Sequence, residues 1–543
     1  MAFLLLLFLL LRLRAAAAVD DVPPSRCAAA TFQPPTVPGA EVLSIEAEER
    51  RDVATAPFFM FPGVSGFDIC DVKVYLTHPG TEDKVLVQTW LPLDQESWNG
   101  RYQATGGGAW ATGFFDPFLG PAAKTGYAAS ATDGGHEGLD ASWALKPDRS
   151  IDWNLLQNFA SRSLADQVYV GKSITEQFYG RAPHHSYWNG CSQGGRQGYE
   201  IAQKYPGLLD GIHAAAPAMD FVNMQMGLFW PQVAMKEAGT WLSQCEYSYF
   251  MSRAIEECDI LDGVRDGILE DPELCTFEPG KLVGDKIECN GEVVEITPAM
   301  ADVVQKYWQG PTSPFGSRLW HGFPIGTTSD MAANITIDAQ GLRSSNPHFV
   351  ASSTIRHLLI KDPSFNISKL SYTDYLGNYN LQAFKEAGGK LLTWHGTNDN
   401  VIPYQNTVQY RKRVEANMGG PKAVNEFYRL FIAPGVEHCG LGAGPVPNDP
   451  LQALVDWVEK GEPPERLEAE TENAKGERIT RELCPYPKKS KYMGIGDGFR
   501  ASSWACEGGE EEEEEKVEGK ADFLGGLKDR LVQVGVGLGL SIG

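Results

Sequence analysis

Ser192 stands in the segment Gly190-Cys191-Ser192-Gln193-Gly194-Gly195, with a glycine two residues before it and another two residues after. A serine hydroxyl is a weak nucleophile at neutral pH and needs a base, which in turn needs a carboxylate to orient it. Where the nucleophile sits on a sharp turn from strand to helix, its neighbours must be nearly bare, and the two glycines meet that demand. The flanks agree: His185 to Trp188 reads as a short strand and Arg196 to Lys204 as a helix. Further on, His395-Gly396-Thr397-Asn398-Asp399 places an acid after the predicted strand Lys390 to His395, and Gly435-Val436-Glu437-His438 places a histidine after the predicted strand Phe427 to Ile432. Serine, acid and histidine thus follow in the order that this strand-turn-helix chemistry uses. The other nine of the ten histidines compete for the role of base, each more readily read as a packed or surface residue.

Two cysteines single out His438. Cys191 precedes the serine and Cys439 follows the histidine. If they are bonded, their Cα atoms lie about 5 to 6 Å apart, which brings hydroxyl and imidazole within reach of each other. Two backbone N–H groups must also face the developing oxyanion. Gln193, just after the nucleophile, supplies one, and the glycine run Gly106-Gly107-Gly108 supplies the other from Gly107 or Gly108. A second cluster, Cys258-Asp259-Ile260-Leu261-Asp262-Gly263-Val264-Arg265-Asp266-Gly267-Ile268, puts three carboxylates within eight residues. Such carboxylates repel unless a hard cation binds them, and Ca2+ accepts carboxylates together with backbone carbonyls. The spacing is not that of an EF-hand, so a polar double turn on the surface is the competing reading.

The elements that must hold these groups read as alternating strands and helices. Val72, Val74 and Leu76, then Val85, Val87 and Trp90, alternate as strands, and Gly126 to His136 reads as a buried strand ending in a polar turn. Leu155, Leu156, Phe159, Leu164, Val168 and Ile174 mark a helix over residues 154 to 179. With 543 residues the chain exceeds one ordinary core, and the αβ alternation breaks off between residues 228 and 387. We therefore expect an α/β catalytic domain from 19–227 and 388–507, with 228–387 inserted. The insert is rich in aromatics such as Trp230, Trp241, Phe250 and Trp320, which suit an ordinary core or a lid over an aromatic substrate.

Residues 1–18 read as a signal peptide cleaved near Ala18, because the apolar run Phe3 to Leu11 is too short to span a bilayer and small residues follow it. Secretion, without a membrane anchor after cleavage, agrees with ten cysteines and with the sequons at Asn334 and Asn366. A net charge of -23 excludes a polyanionic partner such as nucleic acid. Residues 508–543, with the run Glu510 to Glu515, read as an acidic tail.

The pair Cys191-Ser192, the acid Asp399 and the pair His438-Cys439 resemble the CS-D-HC arrangement of the fungal tannase and feruloyl esterase family. The likeness runs from about Cys27 to Cys506, through Trp98-Asn99-Gly100-Arg101, Gly126-Tyr127, Thr132-Asp133, His136 and Ser503-Trp504-Ala505-Cys506. It implies an α/β-hydrolase domain carrying an inserted lid domain. It also implies structural Ca2+, remote from catalysis, on the side chains of Asp259, Asp262 and Asp266 and the carbonyls of Val264 and Ile268. The implied bridges are Cys27–Cys70, Cys258–Cys275 and Cys484–Cys506; Cys245 and Cys289, which the family pattern does not assign, are then expected to pair. The implied activity is hydrolysis of aromatic acyl esters without an organic cofactor, hydroxycinnamoyl esters of plant polysaccharide ahead of the galloyl esters of a tannase. A serine peptidase or a non-catalytic carbohydrate-binding protein on the same scaffold are the alternatives.

Overall fold

The computed structural model describes residues 26–59, 62–289, 291–311, 320–367, 388–418 and 420–508. Nine strands form the main sheet: β1 (Glu41–Ala54), β2 (Ser65–Thr77), β3 (Val85–Pro92), β4 (Arg101–Thr105), β5 (Ala128–Thr132), β6 (His185–Cys191), β7 (Gly211–Ala215), β8 (Lys390–Gly396) and β9 (Tyr428–Ala433). Their order is β1-β2-β3-β5-β4-β6-β7-β8-β9. The first three and the β3–β5 contact are antiparallel, and every pair from β5–β4 to β8–β9 is parallel. The alternation read in the sequence holds on β2, where Val72, Val74 and Leu76 are buried. The central strands are buried on both faces, as a parallel sheet covered by helices requires. This sheet, with helices between its parallel strands, is the α/β-hydrolase fold.

The topology gathers the candidate residues at one edge. Strands β4, β6, β8 and β9 run the same way, so the segments that leave their carboxyl ends emerge together. Those segments carry Gly106 to Gly108, Ser192, Asp399 and His438 respectively.

The helix expected over 154–179 is broken by a π turn at Asn158–Arg162, ahead of helix α1 (Ser163–Tyr179). The apolar spacing continues through the break, so periodicity could not reveal it. Polar contacts pin the wider turn: Asn158 donates to Asp83, and the Arg196 guanidinium donates to the carbonyls of Phe159 and Ala160. Arg196 itself lies in helix α2 (Gln193–Lys204), directly after the turn at Ser192.

Between β7 and β8 the chain builds a second hydrophobic cluster on helices α3 (Phe221–Ala238), α4 (Gln244–Cys258) and α5 (Pro298–Gln309), with Tyr247, Phe250 and Tyr307 at its centre. Helix α4 starts with a capping box in which Ser243 and Glu246 exchange bonds. Residue 228, the expected start of the insert, falls inside α3, because an apolar helix gives no sign of a boundary where sheet packing ends. The ten cysteines form five bridges: Cys27–Cys70, Cys191–Cys439, Cys245–Cys289, Cys258–Cys275 and Cys484–Cys506. Asn366 is exposed and Asn334 half-buried. The expected signal peptide and residues 509–543 of the expected tail lie outside the described residues. Among the described residues no helix is long and apolar enough to cross a membrane.

Candidate active site

Ser192 has φ 61° and ψ -122°, a backbone conformation that L-residues rarely adopt. Three contacts hold it. Its N–H donates to the Ala215 carbonyl at the end of β7, its carbonyl accepts from Ala218 N–H, and the Arg196 N–H closes the first turn of α2 on the same carbonyl. The glycines around it are required sterically: a Cβ on Gly190 would sit 2.5 Å from the Gly194 backbone, one on Gly194 3.0 Å from the Gly107 carbonyl oxygen, and one on Gly195 2.5 Å from the Ala215 carbonyl oxygen.

Asp399 is fully buried. Its Oδ1 accepts from the N–H groups of Val401 and Ile402 at 2.9 and 2.7 Å, and its Oδ2 lies 2.7 Å from His438 Nδ1. Burial alone would raise its pKa, yet the charge of His438 and the hydrogen bonds from His395 and His438 hold it well below the usual carboxylate range. The loops of acid and base are bonded to each other, through Asn398 N–H to the Val436 carbonyl and Gly435 N–H to Thr397 Oγ1. With Nδ1 fixed on Asp399, the Nε2 of His438 is left to take a proton.

The Cys191–Cys439 bridge spans 6.1 Å between Cα atoms. Ser192 and His438, the covalent neighbours of those cysteines, both line one cavity of about 270 Å³. Its walls are largely apolar, with Phe58, Phe114 and Phe118 packed on one another as one group and Phe221, Met224 and Phe349 as a second. In the first group Phe118 belongs to the helix Asp116–Lys124 and Phe58 and Phe114 to the loops before it, and the second group comes from the segment between β7 and β8.

The expected oxyanion donors divide. Gln193 and Gly108 line the cavity beside Ser192. Gly107 also lines it, but its N–H is given to the side-chain oxygen of Gln197 at 3.0 Å, so of the two glycines expected as alternatives Gly108 remains the candidate donor. Gln197 also donates to the Thr112 carbonyl and so clamps the glycine loop onto α2. That role follows from residue 197 facing the loop one helical turn after the nucleophile, which no motif announces.

The competing histidines separate by environment. His136 stacks on Trp143 at 3.7 Å and meets Thr112 Oγ1, and burial lowers it to about 3. His213 pairs with Asn189, and burial lowers it to about 4. His395, unremarked as a functional residue in the sequence, touches Asp399 Oδ2 at 3.0 Å from the end of β8.

In the acidic loop each aspartate folds back onto the backbone: Asp259 accepts from Gly267 N–H, Asp262 from Val264 and Glu270, and Asp266 from Ile268. Burial pushes Asp262 up to about 6 and Glu270 up to about 8, and neighbouring carboxylates push in the same direction. Arg481, stacked on Trp504, is bonded to Asp266 at 2.6 Å and lies 3.7 Å from Glu270 Oε2, so one cation faces several carboxylates. The donor chemistry, all oxygen with excess negative charge, is that of a hard divalent cation, although the carboxylate oxygens of the three aspartates are not gathered within 4.8 Å of one another. The loop also reaches the catalytic side of the protein, since Ile268 packs 3.1 Å from where a Cβ on Gly435 would lie, three residues before His438.

The family model described as tannase and feruloyl esterase matches residues 70–507. A probable feruloyl esterase of Arthroderma benhamiae is 44% identical over 502 residues, covering 88% of this chain and 93% of the relative. Feruloyl esterase B of Aspergillus niger is 31% identical over 472 residues, covering 81% and 87%. Among solved structures, the tannin acyl hydrolase from Aspergillus niger superposes with a TM-score of 0.79 at 24% identity, covering 89% of this chain and 95% of that one. Feruloyl esterase B from Aspergillus oryzae gives 0.73 at 25%, covering 87% and 97%. The chain belongs to the tannase and feruloyl esterase family and is a carboxylic ester hydrolase.

Proposed function

We propose that this protein is an extracellular feruloyl esterase, hydrolysing hydroxycinnamoyl esters of plant polysaccharide with Ser192 as nucleophile. Ser192 Oγ attacks the ester carbonyl while His438 Nε2 takes its proton, and Asp399 orients the imidazole and stabilises its charged form. The N–H groups of Gln193 and Gly108 receive the oxyanion. His438 then protonates the departing alcohol, and water, activated by the same imidazole, releases the acid.

One observation carries the choice of acyl group: the cavity at Ser192 is an aromatic box with few polar side chains. A methoxylated cinnamoyl group loses little on entering such a box. A galloyl group would strip water from three hydroxyls where a feruloyl group strips it from one, and the box holds too few polar groups to replace three. The names of the relatives at 44% and 31% identity support the same choice. The segment between β7 and β8, which contributes Phe221, Met224 and Phe349, acts as a lid on this reading. Ca2+, held by the side chains of Asp259, Asp262 and Asp266 and the carbonyls of Val264 and Ile268, supplies counter-charge to the acidic loop and takes no part in the ester chemistry. Asn366, exposed, is the better placed of the two glycan acceptors.

The test is kcat/KM on methyl ferulate against methyl gallate, with casein and unmodified arabinoxylan as controls. Preference for ferulate supports the reading. Preference for gallate, cleavage of casein alone, or polysaccharide binding without turnover would each displace it.

A further inference from the structure

His348 stands just before the short helix Phe349–Ser353 and lines the same cavity as Ser192 and His438. The residue is 8% exposed. Its Nδ1 accepts from the Val350 N–H at 3.4 Å, so the ring hydrogen belongs on Nε2. That Nε2 is buried and has no hydrogen-bond partner among the described residues. A buried donor without an acceptor is costly, and such a group in a ligand cavity marks where a ligand acceptor is wanted. Burial, and then the charge of nearby His438, lower the ring to about 4, so it stays neutral where an esterase works.

The rest of the argument rests on the aromatic-ester reading above. In a bound ester the carbonyl oxygen goes to the backbone N–H pair and the alkoxy oxygen to His438. The polar atoms then unaccounted for are the oxygen substituents of the aromatic ring. Of the polar side chains lining the cavity, Ser192 and His438 are committed to the reaction; Gln193, whose Nε2 is likewise buried without a partner, is held through its Oε1 by Arg196 at 2.7 Å and is the nucleophile's neighbour in the chain. We propose that the Nε2–H of His348 donates a hydrogen bond to a ring oxygen of the aromatic acyl group, which makes His348 a specificity-determining positioning residue. Because a neutral ring with its hydrogen on Nε2 can only donate there, a methoxy oxygen serves as well as a hydroxyl.

The experiment compares wild type, His348→Leu and His348→Gln on methyl cinnamate, methyl ferulate and methyl 3,4-dimethoxycinnamate. His348→Leu is expected to lower kcat/KM about 10-fold on the two oxygenated esters, mainly through KM, and to leave methyl cinnamate unchanged. His348→Gln, which keeps an N–H donor, should recover most of the loss. An equal fall on all three esters, or no fall on any, overturns the proposal. If His348→Leu does not fold, the wild type decides: equal kcat/KM for cinnamate and ferulate overturns it. Wild-type protein that cleaves none of the three would instead refute the esterase reading itself.

Discussion

His395 and His438 meet on one atom: Oδ2 of Asp399 lies 3.0 Å from Nε2 of the first and 2.7 Å from Nδ1 of the second. The acid is thereby held from both sides, with its other oxygen on two backbone N–H groups. His395 is itself fixed, since its Nδ1 meets Thr407 Oγ1 at 2.8 Å. His395→Leu should therefore lower kcat roughly 10- to 100-fold with little change in KM, as loss of an orienting neighbour does. Steady-state kinetics on methyl ferulate check this, and a change confined to KM would count against it.

The same contacts fix how Asp399 responds to pH. Its pKa is depressed in the folded state, so its contribution to stability is present above the unfolded carboxylate value and is lost as pH falls through the lower, folded one. No loss of activity from protonating Asp399 is expected anywhere above about pH 4. A pH profile of kcat/KM should show no separate carboxylate limb in that range; one that vanished in Asp399→Asn would contradict the account.

The bridge between Cys191 and Cys439 closes a separation of 248 residues, which on loop entropy alone stabilises by roughly 5 kcal/mol. The double variant Cys191→Ala, Cys439→Ala should lose both melting temperature and activity. Under conditions where it remains folded by circular dichroism, kcat should still be reduced at least about 10-fold, because serine and histidine are no longer tethered. Full activity in a folded double variant would show the bridge to be purely structural.

Calcium removal should act first on stability. With excess chelator the melting temperature is expected to drop on the order of 5 °C, to recover with Ca2+ and not with Mg2+, and to become insensitive in Asp262→Asn. Because Ile268 abuts the turn that precedes His438, activity should fall at temperatures below the shifted melt. A chelator-independent melt would argue that Arg481 alone balances the loop.

The triad was legible because three constraints coincide in sequence: bare neighbours around Ser192, an acid and a histidine each following a strand, and cysteines adjacent to both reacting partners. The cavity was not. Phe58, Phe114 and Phe118 lie in or beside loops without periodicity, and nothing in their spacing says that they converge on Ser192. His395 and His348 were missed for a related reason, since a lone histidine at a strand end or a helix cap carries no spacing signal. The choice between Gly107 and Gly108 is not legible in the sequence, because the glycine run fixes where the backbone comes close but not which N–H remains free. That depends on Gln197, ninety residues away.

The central claim is that Ser192 is the nucleophile and His438 its base. Incubation with an organophosphate ester, followed by peptide mass spectrometry, tests it most directly. The account predicts one covalent adduct, on Ser192, formed in step with loss of methyl ferulate hydrolysis and absent from His438→Ala. An adduct on another residue, or hydrolysis that persists after Ser192 is fully modified, would contradict it.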